Sequence, residues 1–257
     1  MMWDAISYHR FGKERIQPSI DLANRIEIKE CKRILDVGCG SGMSTISIRN
    51  RFPDAEIVGV DLSENMLEKA KECMNDVTWI QRDCSKPLTD LGTFDLVFSN
   101  AFLQWLDNQE EFIQNTRALL NPDSVLAMQI PDFDEMPISD IIKETAQSYD
   151  RKNKLFCFER TCNNFSARTY YDMFTSCYSD VEVWQTNYYH QMDSSDAIVD
   201  FVQSTALIPY LSCLTEEQAA EFIAMLKYET AKQYQPCGDG TVLFPFYRLF
   251  FIARNHS

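Results

Sequence analysis

A chain of 257 residues, 45% hydrophobic and 24% charged, is long enough to close a full core and too ordinary in composition for a disordered or fibrous protein. Its formal charge of −14 offers no general attraction for a phosphate backbone or an anionic membrane surface, which argues against nucleic acid and membrane as partners. No apolar run approaches the roughly 18 residues of a membrane span, Met1 to Ile6 has the pattern of neither a signal nor a transit peptide, and the nine cysteines contain no C-x-x-C. A cytoplasmic protein with reduced thiols and no metal site is expected, as a monomer or homodimer.

The first half alternates short apolar runs with helical patterns, as successive βαβ units do. Strands are expected over 33–37, 56–60, 77–81, 94–99 and 125–130. Between the second and third, Met66, Leu67, Ala70 and Met74 recur at helical spacing, with Ser63 placed to cap. Beyond Pro131 the rhythm changes: helices over 139–149 and 168–174 flank an aromatic-rich loop at 156–165, and an alternating strand follows at 181–187. Helices over 193–205 and 215–234 come next, the latter opening with Thr215 and Gln218 at capping-box spacing, and a strand over 247–253 closes the chain. The pattern predicts an α/β fold, a Rossmann-like seven-stranded sheet with helices on both faces. It is read as a single domain over 1–257 in which segments 131–178 and 193–245 form a helical cap on the ligand edge.

Chemistry concentrates in Leu35-Asp36-Val37-Gly38-Cys39-Gly40-Ser41-Gly42, which leaves the first strand and opens a helix near Met43. Glycines there let a backbone approach a ligand closely. A dinucleotide fingerprint wants its third glycine where this chain has Met43, and no G-K-[ST] serves a triphosphate. Asp36 would repel a pyrophosphate, whereas Asp61, ending the second strand, is placed to accept from ribose hydroxyls. Two strand-end carboxylates around a glycine loop point to a ribose-containing cofactor that carries positive charge, and S-adenosylmethionine fits. Gly38, Cys39, Gly40, Leu62 and Met66 join Asp36 and Asp61 as candidate cofactor contacts. Asp83 and Cys84 follow the third strand, where an acceptor would meet the adenine amino group or simply cap the loop. Asn100 and Ala101 end the fourth strand beside the expected methyl group.

Leu35 to Gly42, Gly59-Val60-Asp61 and Ser63 to Leu67 resemble the motifs of class I S-adenosylmethionine-dependent methyltransferases. Along nearly its whole length the chain resembles, more narrowly, the trans-aconitate 2-methyltransferase family. The selective stretches are Trp3-Asp4 with Tyr8, Phe11, Glu14-Arg15 and Pro18, then Ser99 to Leu106, Gln129-Ile130-Pro131-Asp132, Tyr170-Tyr171, Tyr188-Tyr189-His190, Pro209-Tyr210-Leu211 and Phe244 to Phe251. The resemblance implies methyl transfer to one carboxylate of a small polycarboxylic acid, giving a monomethyl ester. Departures fall at Gln17, at Asp134 to Pro137 and across 150–164, in segments expected to meet the acceptor.

A carboxylate with a pKa near ~4 is already an anion and needs no general base, so no catalytic side chain is expected and positioning carries the rate. A polyanion approaching this acidic chain does need local cations. Arg10, Arg15, His190 and Arg248 are the candidates, with Tyr8, Gln104, Trp105, Tyr189 and Tyr210 as pocket walls or hydrogen-bond donors. Arg248 is read as starting an otherwise apolar strand. Three rivals stand beside this reading: a methyltransferase for a malonyl group on a carrier protein, a non-catalytic S-adenosylmethionine-binding protein, and a nicotinamide oxidoreductase, which the glycine spacing disfavours. Amine methylation is disfavoured because Ser99-Asn100-Ala101-Phe102 stands where Asn-Pro-Pro-Tyr is usual.

Overall fold

The structure, a computed structural model, describes residues 12–153 and 164–254. In chain order the elements are α1 (Gly12–Arg25), β1 (Arg33–Val37), α2 (Met43–Arg51), β2 (Glu56–Asp61), α3 (Glu64–Cys73), β3 (Thr78–Gln81), β4 (Phe94–Asn100), α4 (Gln109–Thr116), β5 (Leu120–Pro131), α5 (Pro137–Asn153), α6 (Ala167–Thr175), β6 (Asp180–Met192), α7 (Ser195–Gln203), α8 (Ile208–Leu211), α9 (Glu216–Gln233) and β7 (Val242–Arg254). They divide into two compact units, one of Arg15–Pro131, Phe165–Thr186 and the stretch from Arg248, the other drawing on Asp132–Asn164 and Asn187–Tyr247.

The strands order as β3-β2-β1-β4-β5-β7-β6, with β1 to β5 parallel and β7 antiparallel to β5. This is the seven-stranded α/β sheet that the sequence pattern predicts. The register places Asp36 beside Gly59 and Phe98, Phe98 beside Ala127, and Ala127 beside Ile252. Because successive residues of a strand point to opposite faces, Leu35, Val37, Val97, Leu126, Met128, Leu249 and Phe251 share one face, buried against Phe112 and Ile113 of α4 and Tyr170 and Phe174 of α6. The opposite face carries Asp36, Phe98, Asn100, Gln129 and Phe250. Helices α1 and α2 serve that face: Ser44 and Thr45 bond Asp36, Ser19 meets Ser47 at 2.7 Å, and Trp184 stacks on Phe250 at 4.9 Å beneath the Arg25 guanidinium.

The second unit has a core of its own. Tyr149 of α5 meets Phe222 of α9 edge-on at 5.6 Å, and its hydroxyl donates to the Gln218 carbonyl. His190, Phe201, Phe244 and Phe246 pack with ring centroids 5.4 to 6.2 Å apart. Among the described residues no helix is long and apolar enough to cross a membrane.

Capping chemistry behaves as the sequence indicates: Ser63 accepts from the Met66 amide, and Thr215 and Gln218 form a reciprocal capping box. Several boundaries move. β5, β6 and β7 all run longer than expected, so Tyr188 to His190 lie inside β6, while α7 is shorter at both ends. Arg248 does not start its strand; β7 begins six residues earlier, at Val242, and its apolar alternation hides that extension. Three helices, α1, α4 and the one-turn α8, were not expected. α1 contains Pro18, a residue that argues against a helix interior, yet Arg15, Ser19, Leu22, Ala23 and Ile26 make a buried stripe whose packing overrides propensity. α4 is only eight residues long, too short for a periodic signal, and is held by its Asn108 cap accepting from the Glu111 amide.

Gly59 shows how tightly the sheet is closed near the loop, since a Cβ there would lie 2.4 Å from the Trp79 ring. Gly59→Ala is expected to destabilise the fold by roughly 1–3 kcal/mol through overpacking, lowering Tm by several degrees. An unchanged melting temperature in a thermal scan would show that Trp79 moves aside without cost.

Candidate functional site

The loop after β1 is held by backbone bonds to its neighbour strand. The Gly38 and Cys39 amides donate to the Val60 carbonyl at 2.9 and 3.1 Å, and the Gly40 amide donates to Asp61 Oδ2 at 2.9 Å. The second oxygen of Asp61 accepts from the Ser63 amide at 2.8 Å, so one carboxylate ties the glycine loop to the start of α3. Gly38 and Gly40 both adopt left-handed φ, of 71° and 54°. They serve different ends. A Cβ at Gly38 would strike the Phe102 ring at 2.4 Å, whereas a Cβ at Gly40 would meet nothing within 4 Å. Gly38 is therefore a packing requirement, and Gly40 leaves open space over the loop.

Asp36 lies wholly inside. Its Oδ2 accepts from Thr45 Oγ1 at 2.6 Å and Ser44 Oγ at 3.4 Å, and its Oδ1 has no hydrogen-bond partner among the described residues. Burial raises its carboxyl to about 7 against the helping hydroxyls, and the Asp61 charge adds to the rise. Among the described residues no ion pair neutralises either aspartate. Buried negative charge of this kind is costly unless something compensates it.

The other expected cofactor contacts spread along the same edge. Leu62, directly after β2, is 65% exposed, an apolar side chain left in solvent beside the loop. Met66 is half-buried on the first turn of α3. Asp83 is exposed and folds back on itself, its Oδ1 accepting from the Ser85 amide and hydroxyl, bonds that hold its carboxyl below the usual range. Cys39 and Cys84 are buried and their thiols are pushed up by desolvation, which makes both poor nucleophiles. Ala101 takes a left-handed φ of 57°, strained for a residue with a Cβ, and is held there by its amide donating to the Gln129 carbonyl at 2.7 Å.

The acceptor candidates part company. Arg15 and Arg248 are both buried, at 8% and 6% exposure. Arg248 lies beside Pro131, the last residue of β5, and so at the carboxyl edge. Helix α1 runs in the same sense as α2, since Ser19 meets Ser47 while the Arg51 guanidinium reaches the Ile26 carbonyl; this puts the Arg15 end at that edge too. Gln104 is buried, its Nε2 donating to the Ala101 carbonyl at 2.8 Å, and Trp105 is half-buried in the same short turn. In the second unit His190 sits in the aromatic cluster around Phe201, Tyr210 stacks on Phe222, and Tyr189 is 62% exposed. Tyr8 and Arg10 lie outside the described residues. Gln129, not among the expected site residues, is buried at the same edge and shows in sequence as a lone amide in the apolar run Val125 to Ile130.

A methyltransferase-domain family matches residues 34–123, the glycine loop through the start of β5. Trans-aconitate 2-methyltransferase of Escherichia coli O139:H28 is 34% identical over 256 residues, 98% of each chain, and that of Shigella flexneri is similar at the same identity and coverage. The chain belongs to the trans-aconitate 2-methyltransferase family. Among solved structures it is similar in fold to the YcgJ protein of Bacillus subtilis, with a TM-score of 0.61 at 15% identity over 93% of this chain and 99% of that one. It is also similar to phosphoethanolamine N-methyltransferase 2 of Haemonchus contortus in complex with S-adenosyl-L-methionine, with a TM-score of 0.56 at 17% identity over 93% of this chain and 52% of that one. A trans-aconitate 2-methyltransferase family member uses S-adenosylmethionine, and the glycine loop fits that cofactor: open space over Gly40 and an orphaned acid oxygen on Asp36 suit a ligand bearing positive charge.

Asp36 makes stability depend on pH in a definite direction. Its folded carboxyl keeps a proton up to about 7 while the unfolded one releases it near 3.8, so between those values the folded state binds more protons and stability falls as pH rises. Asp36→Asn removes that dependence. The melting temperature of the variant relative to the parent is expected to climb from pH 4 to pH 7 and level off above; a constant difference across that range would show that Asp36 is ionised throughout.

Proposed function

We propose that the protein transfers the methyl group of S-adenosylmethionine to a carboxylate of trans-aconitate, forming a monomethyl ester. The observation that carries the acceptor side is the pair of buried guanidinium groups, Arg15 and Arg248, at the carboxyl edge of the sheet unit in a chain of charge −14. Their planar forks match carboxylate geometry, and burial strengthens each interaction with an anion. Kinship at 34% identity over 98% of the chain supports the same acceptor.

S-adenosylmethionine supplies, when bound, an electrophilic methyl carbon on a sulfonium. The chain's contribution is to hold and orient. Gly40 leaves room for the ligand, Asp36 and Asp61 provide negative charge beside it, and Leu62 offers an apolar surface. Asn100 and Ala101, at the end of β4, face the acceptor side of the same edge. The acceptor carboxylate is ionised at neutral pH, so no residue is required to remove a proton, and rate comes from alignment and exclusion of water. The half-buried Trp105 and buried Phe98 and Phe250 supply apolar surroundings.

Methyl-labelled S-adenosylmethionine incubated with the protein and trans-aconitate is expected to give base-labile label in the small-molecule fraction. Arg15→Gln and Arg248→Gln should each raise the acceptor KM by about 10-fold or more, the scale of a lost hydrogen bond to a charged group, with S-adenosylhomocysteine affinity nearly unchanged. Absence of label with demonstrated cofactor binding would reject trans-aconitate as acceptor.

Gly40→Ala separates the cofactor site from the fold. Its methyl group enters open space, so the stability loss should stay near the roughly 1–2 kcal/mol of a left-handed alanine, while affinity for S-adenosylmethionine falls well beyond 10-fold. Calorimetry showing unchanged affinity would remove the loop from the cofactor site.

A further inference from the structure

Gln129 stands alone in β5. Its neighbours Val125, Leu126, Ala127, Met128 and Ile130 are all apolar and buried, and Gln129 itself is 1% exposed. Neither its Nε2 nor its Oε1 has a hydrogen-bond partner among the described residues. A buried amide with both ends unmade costs stability, about 1–3 kcal/mol for each unsatisfied group, and so calls for an explanation.

Its surroundings indicate what that is. On β4 the residue directly beside it is Asn100, whose Oδ1 is also buried with no partner among the described residues. On β7 the facing residue is Phe250, and Arg248, opposite Pro131, is the diagonal neighbour on the same face, a spacing long side chains bridge. One level below, Asp36 lies beside Phe98, so Gln129 and Asn100 stand level with the start of the glycine loop. Gln104 has one of its two Nε2 hydrogens committed to the Ala101 carbonyl. Gln129 has a buried donor still to give.

We propose that the Gln129 amide binds the acceptor carboxylate that receives the methyl group, donating from Nε2 to the oxygen that does not react. This deepens the function proposed above and rests on it. The chemical reason for an amide lies in the reaction. A guanidinium paired to the reacting carboxylate would draw charge from the attacking oxygen, whereas a neutral donor orients the group and leaves its charge on the nucleophile. Arg248 and Arg15 then hold the carboxylates that stay unmodified, and the site distinguishes one carboxylate of a polyacid from the others by the kind of donor each meets. No bond to Gln129 forms or breaks; the new bond is between carboxylate oxygen and methyl carbon.

Gln129→Met, Gln129→Leu and Gln129→Glu test this in the full chain. The two apolar variants should lower kcat/KM for trans-aconitate by about 10- to 100-fold, the range of a lost hydrogen bond to a charged group, with the affinity for S-adenosylhomocysteine within twofold. They should keep or raise the melting temperature, because an unsatisfied buried amide is removed. Gln129→Glu should cost more activity at pH 8, where its charge repels the acceptor, and recover part of it towards pH 6. Equal losses of cofactor affinity, or kcat/KM within twofold of the parent, would overturn the proposal. A melting temperature lowered in both apolar variants would also overturn it, by showing that the amide supports the fold. That last readout needs no turnover, so it decides Gln129 even if the parent protein leaves trans-aconitate unmethylated and the function proposed above fails.

Discussion

The 2.6 Å hydrogen bond from Thr45 Oγ1 to the Asp36 carboxylate joins the end of β1 to α2, and the open loop between them depends on it. With β1 fixed against α2, Gly38 and Cys39 fall within reach of the Val60 carbonyl, and Gly40 presents its amide to Asp61. The loop is thereby stretched over two carboxylates with no cation paired to either among the described residues. Burial holds Asp36 partly protonated near neutrality, so a positively charged ligand gains by drawing out the ionised form. Under the proposed function, cofactor binding and proton release would be linked at this residue.

The sheet was legible because its strands are short apolar runs separated by strong punctuation, and the glycine loop because its glycines follow a strand directly. Ends of strands were less so. β7 alternates through Val242, Phe244 and Phe246 before the continuous run that signalled it, and Pro245 within it argues for an edge or a break. α1 was hidden by Pro18, because propensity speaks against a helix that packing against α2 enforces. The strand-end positions of Asp36 and Asp61 were readable from sequence alone. Gln129 shows in sequence only as a lone amide in an apolar run; that it is buried without a partner among the described residues comes from the structure.

Buried polar groups in this chain sort into two kinds. Ser19, Thr116 and Tyr170 are buried with partners, at 2.7 to 2.8 Å from Ser47, Tyr178 and Gln109, and tie helices to each other or to the sheet. Asp36 Oδ1, Asn100 Oδ1, Gln104 Oε1 and both ends of Gln129 have none among the described residues. The satisfied groups are distributed through the sheet unit, whereas these four residues gather at the carboxyl ends of β1, β4 and β5 and the turn after β4. An open parallel sheet binds ligands at that edge for a topological reason: strands on either side of β1 leave in opposite directions and a crevice opens between their loops. A cluster of unsatisfied polar groups at that edge is what is expected where stability is given up locally for binding.

Charge completes the argument. A chain of −14 repels a polyanion at long range, and screening reduces that repulsion to contacts within about a Debye length, roughly 8 Å at physiological salt. Recognition must then be local, made by groups that water does not weaken. Buried Arg15 and Arg248 satisfy that condition in a way that the exposed lysines and arginines cannot, because an exposed ion pair contributes little. Under the proposed function, the acidic surface and these buried cations would be complementary parts of one selectivity, favouring small anions that can enter over larger acidic surfaces.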